Sequence, residues 1–198
     1  MKFTTLRASA ALALLATLAA CGGKAMFDVN VTITGLNNPN LVLSNGSDRA
    51  TIPAGSSSYT FSRRIPYGED YNVVVEKSPD HMTCKVMSGG SGSAGHFATI
   101  NAVVACEQNV HALSGRVSNL SGANMILLNG NVQVAVAPTT PPTPAVPVDF
   151  TFPSVADGTS YGITVLKQPD GQTCTVTNGT GVMHETDIAN VSVACVAN

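Results

Sequence analysis

The chain has 198 residues, ten basic against twelve acidic, with only 11% charged and no Trp. That balance lacks the basic footprint that nucleic acid or anionic headgroups require, so no nucleic-acid partner is expected. A surface so poor in charge must rest on Ser, Thr and Asn, and with abundant Gly and Val this favours β structure over helix.

Residues 1–20 start with Lys2 and Arg7 and continue as an apolar run from Ala8 to Ala20, broken only by Ser9 and Thr17. A run of about 13 residues is too short for a hydrocarbon core that needs roughly 20, and it fits an export signal peptide. It closes Leu18-Ala19-Ala20-Cys21. This box resembles the cleavage site of bacterial lipoprotein precursors. The resemblance implies cleavage before Cys21 and lipidation of its thiol, with palmitate-type chains as anchor. In that family Asp after the cysteine favours the inner membrane; here Gly22 and Gly23 follow, so the expected address is the outer membrane. Residues 21–26 then form a lipidated linker. Without the leader, eight basic residues face twelve acidic ones.

The remainder is one unit written twice. Residues 34–46 match 118–130 without gaps, and Tyr71, Val73, Val75, Lys77, Pro79, Asp80, Thr83, Cys84 and Val86 match Tyr161, Ile163, Val165, Lys167, Pro169, Asp170, Thr173, Cys174 and Val176. Between these matches the offset grows by six, at Pro138-Thr139-Thr140-Pro141-Pro142-Thr143-Pro144. Both copies close alike, Asn101–Cys106 against Asn190–Cys195. Units this long are domains rather than solenoid turns, which places the repeats at 27–107 and 108–198.

In chain order each copy reads as short strands. Phe27–Ile33 and Tyr71–Val75 alternate apolar and polar with period two. Leu41–Leu43 and Met125–Leu128 are apolar runs ending at Asn45-Gly46 and Asn129-Gly130, dipeptides suited to tight hairpins. Tyr59-Thr60-Phe61 and Phe150-Thr151-Phe152 add a strand each, and Gly89–Gly95 reads as a flexible loop. About seven strands per copy predict an all-β chain of two tandem small β sandwiches, with a barrel per copy as the alternative. The order Leu113-Ser114-Gly115-Arg116-Val117, Phe-x-Phe, Tyr-x-Val-x-Val resembles bacterial extracellular immunoglobulin-like and transthyretin-like modules. Thr-Cys-x-Val with a closing Val-x-Val-x-Cys resembles a disulfide-bearing repeat of bacterial lipoproteins and surface proteins. Its Asn178-Gly179 turn is replaced by Ser88-Gly89 in the first copy. These resemblances imply architecture, not activity.

Four cysteines in an exported protein are expected as disulfides, with three connectivities open. Repeat symmetry favours Cys84–Cys106 and Cys174–Cys195. No Cys-x₂₋₄-Cys or histidine at ligand spacing occurs, so no metal site is expected. His96 and His184 stand at similar places in the two copies and read as loop residues carried along by duplication.

No Gly-x-Ser-x-Gly elbow or Walker lysine is present, so no catalytic residue, enzymatic activity or cofactor beyond the lipid is expected. Tyr71 and Tyr161 read as core residues, and Lys77 and Lys167 as solvent-facing strand ends. The asymmetry that could bind something is Arg63, Arg64 and Tyr67, a basic aromatic loop whose counterpart is Pro153–Gly158. Its candidate partners are an envelope protein or a polysaccharide. The sequence thus predicts a membrane-anchored envelope lipoprotein with a structural or binding role, or alternatively a carbohydrate- or matrix-binding surface adhesin.

Overall fold

The computed structural model describes residues 23–139 and 146–198. The leader, the lipobox with Cys21, and residues 140–145 of the Pro-rich insertion lie outside the described residues. Among the described residues every regular element is a strand. The first copy holds β1 (Met26–Phe27), β2 (Val29–Thr34), β3 (Leu41–Asn45), β4 (Asp48–Ile52), β5 (Ser58–Thr60), β6 (Ile65–Pro66), β7 (Asp70–Lys77), β8 (Met82–Ser88), β9 (Ser91–Ser93) and β10 (Ile100–Gln108). The second holds β11 (Val110–Ser118), β12 (Met125–Asn129), β13 (Val132–Val136), β14 (Val148–Ala156), β15 (Ser160–Lys167), β16 (Gln172–Thr177), β17 (Thr180–Val182) and β18 (Ile188–Ala197).

Each copy is a sandwich of two four-stranded sheets: β5-β2-β10-β8 with β4-β3-β7-β9, and β14-β11-β18-β16 with β13-β12-β15-β17. Alternation decides which face is buried. Val29, Val31 and Ile33 of β2 point inward, as do Ile100, Ala102 and Val104 of β10, because side chains along a strand switch faces at every residue. The two hydrophobic clusters draw on separate stretches, Val29 to Cys106 and Leu113 to Cys195. Disulfides join Cys84 to Cys106 and Cys174 to Cys195, each pair directly opposite across β8–β10 and β16–β18. An edge strand is thereby stapled to the strand that closes its copy.

In each copy the first and last strands of the sandwich run parallel, β2 beside β10 and β11 beside β18. The chain therefore enters a copy at one pole and leaves at the other. We call these the near and far poles.

Several local expectations change. Each copy has eight sandwich strands rather than about seven, because the glycine-rich stretch forms β9, whose Ser91–Ser93 pairs with Asp70–Asn72. Gly92 is there for closeness, since a Cβ would lie 2.9 Å from the Tyr71 hydroxyl. In the second copy Gly181 approaches the Tyr161 hydroxyl to 2.7 Å in the same way. The hairpin after β3 uses Gly46-Ser47 as its loop, while Asn45 stays in the ladder and its side-chain oxygen accepts the Asn72 amide.

The counterpart of Asn178-Gly179 is Gly89-Gly90, not Ser88-Gly89. Gly89 and Asn178 share a left-handed φ of 64° and 57°, and the Gly90 and Gly179 carbonyls accept the Val73 and Ile163 amides. The extra residue is Met87, which bulges where the β8–β10 register shifts. Finally, Pro153–Ala156 is not a loop. It continues β14, an edge strand that bulges at Pro153-Ser154, the setting that tolerates a proline.

Candidate functional site at the near poles

The near pole of the first copy is formed by the β6–β7 and β9–β10 loops and by the incoming chain. Arg63 reaches Glu69 at 2.7 Å, and Arg64 reaches Asp28 at 2.9 Å and donates to the Met26 carbonyl at 2.8 Å. The Ser62 hydroxyl and the Arg63 amide both donate to Asp48. Both arginines thus hold their own loop in place, and the charge they bring is matched locally. The structure separates them from Tyr67 in role: the guanidiniums are engaged, whereas the Tyr67 ring is 59% exposed.

Tyr67 is set by its backbone and by a glycine. Its amide donates to the Ala25 carbonyl at 2.8 Å, tying the pole to the segment that follows Cys21. Its ring lies across Gly95, where a Cβ would come within 2.3 Å of Cδ2 and where φ is 97°. Next to it His96 and Phe97 are tilted rings 6.3 Å apart, and Phe97 is 72% exposed. A cavity of about 610 Å³ opens beside Phe97, lined also by Asp70, Tyr71, Ser91, Ser93 and His96. This arrangement offers the exposed Tyr67 and Phe97 rings, the Asp70 carboxylate, and serine and tyrosine hydroxyls.

The near pole of the second copy has the same backbone plan. Gly68 donates to the Ala94 carbonyl and Gly158 to the Met183 carbonyl, both at 2.8 Å, which equates Tyr67 with Asp157 and Gly95 with His184. Here the far pole of the first copy covers the site. Asn109 alone separates β10 from β11, and its amide donates to the His81 carbonyl while its carbonyl accepts from Asp157, each at 2.9 Å. Gln108 donates to the Asp157 carbonyl at 2.9 Å. His81 Nδ1 stands 3.2 Å from the Asp157 carboxylate, and the His81 ring rests on Gly158. The second carboxylate oxygen accepts the Glu185 amide at 3.2 Å.

Asp157 is buried, with 2% of its surface exposed. Burial pushes its carboxyl up, but the adjacent His81 imidazole and the Glu185 and Gly158 amides outweigh this and hold it below the ordinary 3.8. His81 adopts φ of 65°, a left-handed conformation that the second copy gives to Gly171 at φ of 69°. Such a backbone is unfavourable for a side-chain-bearing residue and is kept where that side chain has a partner.

His184 therefore belongs to the junction, 6.4 Å from His81, and His96 to the open pole, so the two are not counterparts. Lys77 stands 3.9 Å from Asp80 at a solvent-exposed turn. Among the described residues no three His, Cys, Asp or Glu side chains gather as a ligand set. The junction was not visible in the repeat alignment because Asp157, Gly158 and His81 fall in turns where the copies diverge. The signal lay in that divergence, an acid opposite Tyr67 and a histidine opposite Gly171.

No protein-family sequence model matches the chain, and no curated protein matches it in sequence. Solved structures align with the chain at low identity. The Bacillus anthracis TIE protein aligns with a TM-score of 0.50 at 10% identity, over 86% of this chain and 34% of that one. The major pilin protein T-13 of Streptococcus pyogenes aligns at 0.33 and 10% identity, over 89% and 98% of the two chains. The shaft pilin of Lactobacillus rhamnosus GG aligns at 0.33 and 10% identity, over 88% and 100%. The chain spans about a third of the length of the first of these, and that likeness is one of fold.

Proposed function

We propose that the protein is a non-enzymatic structural module of the bacterial cell envelope, exported and held in the outer membrane by lipid on Cys21. Its two sandwiches act as a fixed spacer that carries the far pole of the second copy away from the anchor. The observation that carries this reading is Asn109, the single residue between β10 and β11, with both its backbone groups bonded across the junction. A one-residue connection so pinned leaves little freedom for the copies to swing, unlike a Gly/Ser linker. Parallel first and last strands give the spacer its direction. Envelope proteins or polysaccharide are the partners this placement would offer. The test is the mass of the N-terminal peptide from the membrane fraction. An acylated Cys21 is expected, together with release of Cys21→Ser into the soluble fraction; a free Cys21 thiol, or a leader still attached, would sink the anchored reading.

A second reading, a carbohydrate- or matrix-binding adhesin, draws on the Phe97 cavity with its carboxylate and hydroxyl rim. Aromatic faces flanked by polar groups suit the mixed apolar and hydroxyl surfaces of sugars. Selective retention on a glycan array that disappears in Tyr67→Ala and Phe97→Ala would favour it.

A further inference from the structure

Tyr67 and Phe97 are the two exposed large aromatic side chains among the described residues, and both lie at one pole. Met26, 43% exposed, joins them there. That is the pole through which the chain arrives from Cys21. Four residue steps separate Cys21 from Ala25, a reach of at most about 14 Å even when fully extended. From Ala25 onward the path is fixed, since Ala25 accepts the Tyr67 amide and β1 pairs with β6. Any lipid on Cys21 must bring Ala25, and the Tyr67 backbone bonded to it, to within that reach of the headgroups.

We infer that the near pole of the first copy docks on the bilayer surface through Tyr67 and Phe97; this rests on the lipid-anchored reading above. The chemistry fits an interface rather than the hydrocarbon core. Each ring offers an apolar body, Tyr67 adds a hydroxyl, and His96, Ser93 and Asp70 around them can remain in the hydrated headgroup layer. The pole has no surplus of cation, because Lys24, Arg63 and Arg64 stand against Asp28, Asp48, Glu69 and Asp70. Docking is therefore driven by ring burial and does not depend on anionic lipid or low salt. The same pole of the second copy is closed by His81 and Asn109 and carries Asp157 where the first carries Tyr67. The aromatic pair is thus confined to the copy beside the anchor.

The absence of Trp makes a clean reporter available. The full-length protein carrying Phe97→Trp, purified from membranes, is reconstituted in phosphatidylcholine vesicles with and without brominated acyl chains. Val196→Trp, on an exposed face at the far pole of the second copy, serves as the comparison. Two copies crossed by strands of nine and ten residues allow Val196 to stand up to roughly 60 Å from the membrane at about 3.3 Å per residue. Brominated lipid is expected to remove about half of the Phe97→Trp emission and to leave Val196→Trp within roughly a tenth, as for an interfacial and a remote ring. The Phe97→Trp result should hold at high salt and on adding anionic lipid.

Equal emission from Phe97→Trp with and without bromine, in protein that floats with the vesicles, would overturn the docking while leaving the anchor intact. A spectral change produced instead by soluble glycan would overturn it in favour of the adhesin. If Cys21 proves unacylated, its thiol coupled to a maleimide lipid supplies the same tether, and docking is read in the same way. Tyr67→Ser, judged by quenching of Phe97→Trp in the same vesicles, is expected to weaken the effect. No weakening would exclude Tyr67 from the contact.

Discussion

At the near pole of the second copy Asp157 is buried beneath His81 and sealed by Asn109, whereas Tyr67, at the same place in the first copy, lies exposed across Gly95. The supporting hydrogen bonds are equivalent: Gly68 to Ala94 in one copy, Gly158 to Met183 in the other. One backbone plan thus serves as a junction or as an open surface, according to a few turn residues. The copies differ inside as well. The Val31–Tyr59 cross-strand pair of the first becomes Gly115–Phe150 in the second, a small residue making room for a more deeply buried ring. Buried Met82 of the first becomes Gln172, whose side chain accepts the Ser121 and Gly122 amides and donates to the Asn119 carbonyl. Duplication fixed the ladder and left the poles and fillers free to diverge.

The comparison can be broken most severely at what the copies share. Replacing both members of a disulfide by Ala removes a loop of 22 or 21 residues' separation, expected to cost about 3 kcal/mol. Because the two clusters draw on separate stretches, loss of Cys174–Cys195 should lower the calorimetric transition of the second copy far more than that of the first. Equal losses in both would contradict separate cores.

Gly115→Val imports the first copy's residue into the second, where its Cβ would sit 2.2 Å from the Val191 carbonyl and 2.7 Å from Phe150 Cζ. Overpacking of this kind costs about 1–3 kcal/mol, read as a lower denaturation midpoint. Pairing it with Phe150→Tyr should bring no recovery, whereas Phe150→Ala should return part of the loss.

Asp157→Asn sharpens the junction. Since the folded carboxyl titrates below 3.8, its contribution is present above that value and fades as pH falls through the lower folded value. Native protein should therefore keep the copies fixed at neutral pH and loosen them only in acid, seen as a change in small-angle scattering. Asp157→Asn should loosen them at neutral pH with no further change over that acid window. Deleting Met87 is the mildest change. It gives β8 the register of β16, and because Met87 is exposed, a shift of about 1 kcal/mol or less is expected in the melting of the first copy.

Much of this architecture is legible in the sequence alone. Period-two alternation in Val29–Thr34 and the repeated Thr-Cys-x-Val identify buried faces and strand partners, because a strand's side-chain period and a disulfide's reach are strict. Gly89–Gly95 misled because glycine reads as freedom in a sequence. In the fold, Gly92 is small because Tyr71 crosses it. Pro153 misled in the same manner, since an edge bulge accommodates it. The ion pairs of Arg63 and Arg64 are not readable from the sequence, because their partners Glu69 and Asp28 lie on either side of a turn whose path alternation does not reveal. The junction stayed hidden for a related reason: His81 and Asp157 are 76 positions apart and meet only once the copies are placed pole to pole.

Hydrogen exchange at single amides tests the contrast between a closed and an open pole most directly. The Asp157 amide, bonded to the Asn109 carbonyl, and the Asn109 amide, bonded to the His81 carbonyl, should be protected to the same degree as the amides of β10 and β11, and should lose that protection in Asp157→Asn. Exchange of both at the rate of a free loop in the native protein would mean that the copies swing independently, and the fixed spacer would fall with them.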